Sequence, residues 1–95
     1  MNDDEKKMEL TEGSVYKITS LGGKDNPLET EGTFRGFISI GVDETGIMME
    51  LSRNHGEDAG KIRIIPLHVM LLIDVLEKKE HQKKDEYKGM SHYVG

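Results

Sequence analysis

Cysteine and tryptophan are absent from this chain of 95 residues, and it carries only two prolines, two phenylalanines and three tyrosines. Without cysteine there can be no disulfide, no thiolate metal site and no thiol nucleophile. The N-terminal stretch MNDDEKKMELTEG lacks the apolar core of a signal peptide and is too acidic for a transit peptide. The longest apolar run is bounded by His68 and Asp74 and is too short to span a bilayer. These absences lead us to expect a cytoplasmic domain with no membrane association.

Basic excess is missing too. The net charge is -5. Residues 1–12 hold five acids against two lysines, residues 13–76 nine acids against six bases, and residues 77–95 four acids against five lysines. Binding to duplex nucleic acid is driven by neutralising phosphates and normally needs the opposite sign, so duplex DNA is excluded as a partner. Single-stranded RNA stays open, because a few stacking and hydrogen-bonding groups suffice there.

What is present is a succession of short strand-like segments. A chain of this length supports one domain. Its organisation reads as a charged N-terminal segment (1–12), a β domain (13–77) and a charged tail (78–95). The first segment is disordered or a frayed helix that packs through Met8 and Leu10. SVYKITSL then alternates with period two and is rich in β-branched residues, which predicts a strand. LGGKDNP is a turn by composition. In ETEGTFRGFISI, alternation places Phe34 with Gly32, Gly36 and Ile38 on one face and Arg35 with Phe37 on the other. Two glycines on one side allow the strand to bend, as small closed barrels require. GVDETG reads as a turn, IMMELS as a third strand, RNHGEDAG as a solvated polar loop and KIRII as a fourth strand.

The stretch IRIIPLHVMLLIDVL is the most apolar in the chain, and Pro66 interrupts it. Proline lacks the N–H that a continuous strand or helix would need there. Two readings remain for the residues beyond it. Pro66 opens a helix running through Lys84, or Leu67–Val69 is a tight turn leading into a fifth strand, Met70–Leu76, with Leu71, Ile73 and Val75 facing the core. Four preceding strands favour a fifth, because an open four-stranded sheet leaves exposed edges.

Five short strands, a glycine-bent second strand and a tight turn between the last two resemble the Sm-like fold of small RNA-binding proteins, over roughly residues 13–77. Gly32, Gly36, Asp43 and Leu51 in EGTFRGFISIGVDETGIMMEL follow that family's first motif, and Ile62-Arg63 followed by Val69–Ile73 echoes its second. The small size, acidic N-terminal extension and charged tail look most like an archaeal member. Three positions depart from the pattern. Asp43 stands one residue further from Gly36, Ile47 occupies the place of the base-reading Asn, and Ile64 replaces the Gly after Arg63. Ile47 offers no side-chain hydrogen bond, so the family's uridine pocket does not carry over.

The resemblance implies a mostly β, five-stranded SH3-like or Sm-like barrel with charged termini. It also implies a homo-oligomeric ring, in which the fourth strand of one copy pairs with the fifth of the next. Ile62, Ile64, Leu71, Ile73 and Val75 are the candidate interface. The implied function is a non-catalytic, RNA-associated scaffold presenting loop residues at a pore. Asp43 would shape the turn between the second and third strands, and Arg63 and His68 would stand nearest any RNA. The alternative is a protein–protein interaction module on the same barrel that has lost RNA binding, which the acidic charge and Ile47 favour.

Other chemistry finds little support. The plainer reading of His68 is that it caps its turn with a backbone hydrogen bond, and that of Arg63 is that it pairs with a nearby acid. Arg53, Asn54 and His55 form a basic-polar cluster that Glu57 and Asp58 neutralise. His55, His68, His81 and His92 show no metal-ligand spacing, and LGGKDNP lacks the Gly-Lys-Ser/Thr setting of a phosphate loop. No metal, cofactor or catalytic residue is expected. Met48, Met49 and Met70 read as core filler, and the tail lysines, interleaved with acids, as a solvated face.

Overall fold

The structure is a computed structural model that describes residues 9–23 and 26–80. Expectations for Met8, for the middle of the LGGKDNP turn and for the tail beyond residue 80 lie outside the described residues. Five strands form one antiparallel sheet: β1 (Val15–Ser20), β2 (Leu28–Ile40), β3 (Glu44–Leu51), β4 (Ile62–Pro66) and β5 (Met70–Glu77). Short 3₁₀ turns, Arg53–Asp58 and Leu67–Val69, precede β4 and β5. Pro66 therefore ends a strand, and the residues after Leu67–Val69 are a strand and not a helix. The missing N–H of Pro66 is no loss at the terminal position of β4.

The strand order is β4-β3-β2-β1-β5. β2 is long enough to serve both neighbours, pairing with β1 through Leu28–Thr33 and with β3 through Gly32–Ile40. It must therefore bend where the two ladders overlap, and two glycines make the bend possible. A Cβ on Gly32 would stand 2.2 Å from the carbonyl oxygen of Glu50, far inside contact distance. Gly36 has φ +120°, a conformation open essentially to glycine alone, and the β2–β3 register shifts between Phe34 and Gly36.

That bulge corrects the simple alternation expected for β2. One extra residue inverts the pleat, so Phe37 joins Phe34 on one face, their ring centroids 5.3 Å apart in an edge-to-face contact. Ile38, expected beside Phe34, moves to the other face with Gly46 as its β3 partner. The expected GVDETG turn is also shorter than its composition suggests, because Glu44, Thr45 and Gly46 already belong to β3.

Tyr16, Ile18, Phe34, Ile47, Met49 and Ile65 make the buried cluster, with Leu10, Val69, Met70 and Ile73 packed against it. Met48 does not fill this core. Its neighbours Ile47 and Met49 are fully buried while it is half-buried on the opposite face, since consecutive strand residues point opposite ways. Leu71 and Val75 also miss the core and are 56% and 44% exposed. β5 borders β1 alone, and its register slips at both ends, so Met70 and Ile73 are the β5 residues packed against the buried cluster, while Val75 shares their face at its half-exposed rim.

The expected closure into a barrel is not reached within the chain. β4 pairs with β3 alone and β5 with β1 alone, which leaves both as open edges. The sheet is nonetheless strongly curved. Arg63 Nη1 on β4 donates to the hydroxyl of the buried Thr30 on β2 at 2.7 Å, across the intervening β3.

Candidate functional site

The apolar surface of the molecule is gathered on these two edges and the turn joining them. Eleven large apolar side chains are exposed among the described residues, and seven lie between Ile62 and Leu76: Ile62, Ile64, Leu67, Leu71, Leu72, Val75 and Leu76. Each is roughly half covered already. On β4, Ile65 and Arg63 stand opposite Ile47 and Met49 and share their inward face, whereas Ile62 and Ile64, opposite Glu50 and Met48, face outward. On β5, Ile73 and Val75 stand opposite the buried Ile18 and Tyr16, and Leu72 and Asp74 stand opposite Thr19 and Lys17 on the outer face. Both edges therefore present an outward apolar row, Ile62–Ile64 and Leu72, and an inward row that continues the core, Ile65 and Ile73–Val75.

The N-terminal stretch walls one side of β5. The Thr11 and Ser14 hydroxyls meet at 2.6 Å, the Thr11 hydroxyl donates to the Lys79 carbonyl at 2.9 Å, and the Lys79 N–H donates to the Ser14 hydroxyl at 2.8 Å. The Thr11 N–H donates to the Tyr16 hydroxyl at 3.0 Å. Burial disfavours the Tyr16 phenolate, but this N–H, the Ser14 and Thr11 hydroxyls and the Lys78 charge outweigh it and lower the hydroxyl below its ordinary value. The clasp holds Leu10 over the core. It leaves a cleft of about 210 Å³ between Glu9, Leu10 and Lys78 on one side and Tyr16, Ile73 and Val75 on the other.

The three candidate RNA-site residues, Asp43, Arg63 and His68, are not gathered at one point. His68 lies in the connecting turn, where its Nδ1 stands 2.5 Å from Glu44 Oε2 at the start of β3. Asp43 precedes that glutamate, exposed at the end of the β2–β3 turn. The same corner is fixed from β1, where the Leu21 N–H donates to the Val69 carbonyl at 2.8 Å. Arg63 stands five residues before His68 on β4 and turns inward to Thr30. The corner thus holds one imidazole and two acids, with no guanidinium beside them.

One histidine does more than its sequence context suggests. The RNHGEDAG segment is a 3₁₀ turn folded onto β2 and not a free polar loop. Its His55 Nε2 accepts the backbone N–H of Glu31 at 2.9 Å, Asn54 Nδ2 donates to the Glu31 carboxylate at 2.8 Å, and the Ser52 N–H donates to the Glu31 carbonyl at 3.0 Å. No local pattern could have shown this, because the partners are 24 residues apart. In the same turn, a hydrogen bond from Lys61 and its charge lower the Asp58 carboxyl below its usual value.

Among the described residues no group of three or more His, Asp or Glu side chains is arranged to hold a metal ion, and no helix is long and apolar enough to cross a membrane. Compared with known proteins, the chain matches no family model, no curated protein and no solved structure, so its own geometry must carry the functional reading.

Proposed function

We propose that this chain is a non-catalytic scaffold of the Sm-like type whose sheet is completed between copies. In this reading β4 of one chain pairs antiparallel with β5 of the next in a homo-oligomeric ring. The observation that carries it is the coincidence of two open edges with most of the exposed apolar surface. Open edges attract foreign strands, and soluble proteins usually blunt them with charge, proline or a covering element. Here Asp74 and the terminal Pro66 interrupt the edges, but Ile62, Ile64 and Leu72 keep aliphatic surface on their outward rows.

Magnitudes favour a closed ring over a single contact. Completing the burial of seven half-covered side chains gives about 1 kcal/mol each, half of the roughly 1.5–3 kcal/mol for full burial. Ladder hydrogen bonds add about 0.5–1.5 kcal/mol apiece. Lost translational and rotational freedom costs about 4–15 kcal/mol per association. One contact is therefore marginal, whereas a ring gives every subunit two contacts without a free edge.

RNA is the proposed ligand of the ring, held at the corner where the β2–β3 turn meets the Leu67–Val69 turn. His68 is the group there able to stack on a base. The second reading, a protein-interaction module without RNA, draws support from Asp43 and Glu44 at that corner and from the inward turn of Arg63.

Solution mass tests the assembly, with a discrete oligomer expected; a clean monomer at high concentration removes the ring. Titration with short uridine-rich and adenine-rich RNA at low salt then tests the ligand. Binding that the joint Arg63→Ala and His68→Ala change weakens supports RNA association. No binding, or binding that this change leaves intact, selects the protein-interaction module.

A further inference from the structure

The edge of β2 beside Glu31 is covered by a side chain as well as by backbone. Both backbone groups of Glu31 point away from β1 toward the Arg53–Asp58 turn. Its carbonyl takes the Ser52 N–H, as a neighbouring strand would provide, but its N–H is met by the His55 imidazole. The ring nitrogen stands where the carbonyl of a neighbouring strand would stand. Only a nitrogen with a free lone pair can do this, so the proton of the neutral ring resides on Nδ1. An imidazolium carries a proton on both nitrogens and can accept nothing.

We infer that His55 is a pH-sensitive latch, holding the Arg53–Asp58 turn on the β2 edge while neutral and releasing the Glu31 N–H once protonated. The charged groups facing the latch come from three elements. On β2, the Glu31 carboxylate is engaged by Asn54. Within the turn, Arg53 and Glu57 are exposed, and the Asp58 carboxylate is held chiefly by the hydrogen bond and charge of Lys61, with smaller influences from Arg63 and His55. On β4, Arg63 is directed to Thr30, the residue before Glu31. Protonation therefore removes an acceptor from a segment that carries both signs of charge and that contributes no buried side chain of its own. Segments with so little apolar burial open at low cost. Release leaves a third strand edge unpaired, independently of whether β4 and β5 assemble.

The test uses the whole chain and two NMR readouts. Long-range ¹H–¹⁵N correlation at alkaline pH is expected to show the Nδ1–H tautomer at His55. The protection factor of the Glu31 amide, its exchange rate relative to that of an unstructured amide at the same pH, is expected to fall about tenfold, the equivalent of one hydrogen bond, as the imidazole protonates, while those of amides inside the β2–β3 ladder hold. His55→Gln restores an acceptor that does not titrate, so its Glu31 amide should stay protected across the range; His55→Ala should leave it unprotected throughout. An Nε2–H tautomer, a Glu31 protection factor indifferent to pH, or a His55→Ala chain as protected as the wild type overturns the latch. So does an acid response that persists in His55→Gln, which would trace it to Glu31 or Asp58.

Discussion

The edge of β2 and the edges formed by β4 and β5 are treated in opposite ways by the same sheet. Beside β2, a polar turn folds back and meets both backbone groups of Glu31, using the Ser52 N–H and the His55 ring. Beside β4 and β5 nothing among the described residues adds a further strand, and the large exposed apolar side chains there are isoleucine, leucine and valine. A covered edge needs only local polar partners. An edge left open and apolar needs another strand, and the difference separates a finished boundary from one suited to assembly.

The comparison can be broken most severely at the bend that creates the edges. Gly32→Val places a branched side chain against the Glu50 carbonyl, where even a Cβ would be 2.2 Å away. Because that neighbour is backbone, the β2–β3 ladder must separate; a loss of roughly 3 kcal/mol or more is expected from overpacking alone, read as a large fall in denaturation midpoint or outright unfolding. A smaller and selective effect is expected at the open edges. Ile64→Lys with Leu72→Lys changes side chains that solvent already reaches, so monomer stability should move by about 0.5 kcal/mol or less each. Sedimentation should meanwhile show the oligomer lost; an assembly that persists in this variant argues against β4–β5 pairing.

The smallest effect belongs to the covered boundary. Asp58 has a lowered carboxyl pKa through Lys61, so its contribution is present above the ordinary carboxylate range and fades as pH falls through the folded-state value. Because the pair is exposed, Asp58→Asn should change the melting temperature only slightly at neutral pH, and that small difference should vanish in strong acid. A difference that instead grows on acidification would contradict the assignment.

Much of the fold was legible in the order of the residues. Period-two alternation marks β1, β2 and the inner part of β3, and Pro66 marks the boundary between β4 and the turn before β5. The glycines at 32 and 36 mark the bend, because only a missing side chain permits that approach. The pleat beyond the bend was not legible. A bulge is a property of a strand pair, and nothing local distinguishes Arg35 as the place where the register shifts. Phe37 and Ile38 consequently exchanged faces, and Met48 left the core its neighbours occupy.

The candidate site divides in the same manner. Ile62, Ile64, Leu71, Ile73 and Val75 stand out by composition, and all lie on the two edge strands. Their partition between outward and inward rows depends on which residues of β1 and β3 stand opposite them. Asp43 and Arg63 were singled out by motif and His68 by its place in the turn, whereas the curvature of the sheet sends Arg63 inward to Thr30 and sets His68 beside Glu44.

By itself the sequence determined what each segment can be: a chain without thiols, acidic, built of short strands, with its aliphatic residues gathered around one proline. Backbone preference and side-chain chemistry are local, and they are written in the order of the residues. Only the tertiary structure decided which edges are covered and which remain open. Pairing joins residues distant in sequence, as His55 and Glu31 show, and an edge exists only once every strand has chosen its neighbours.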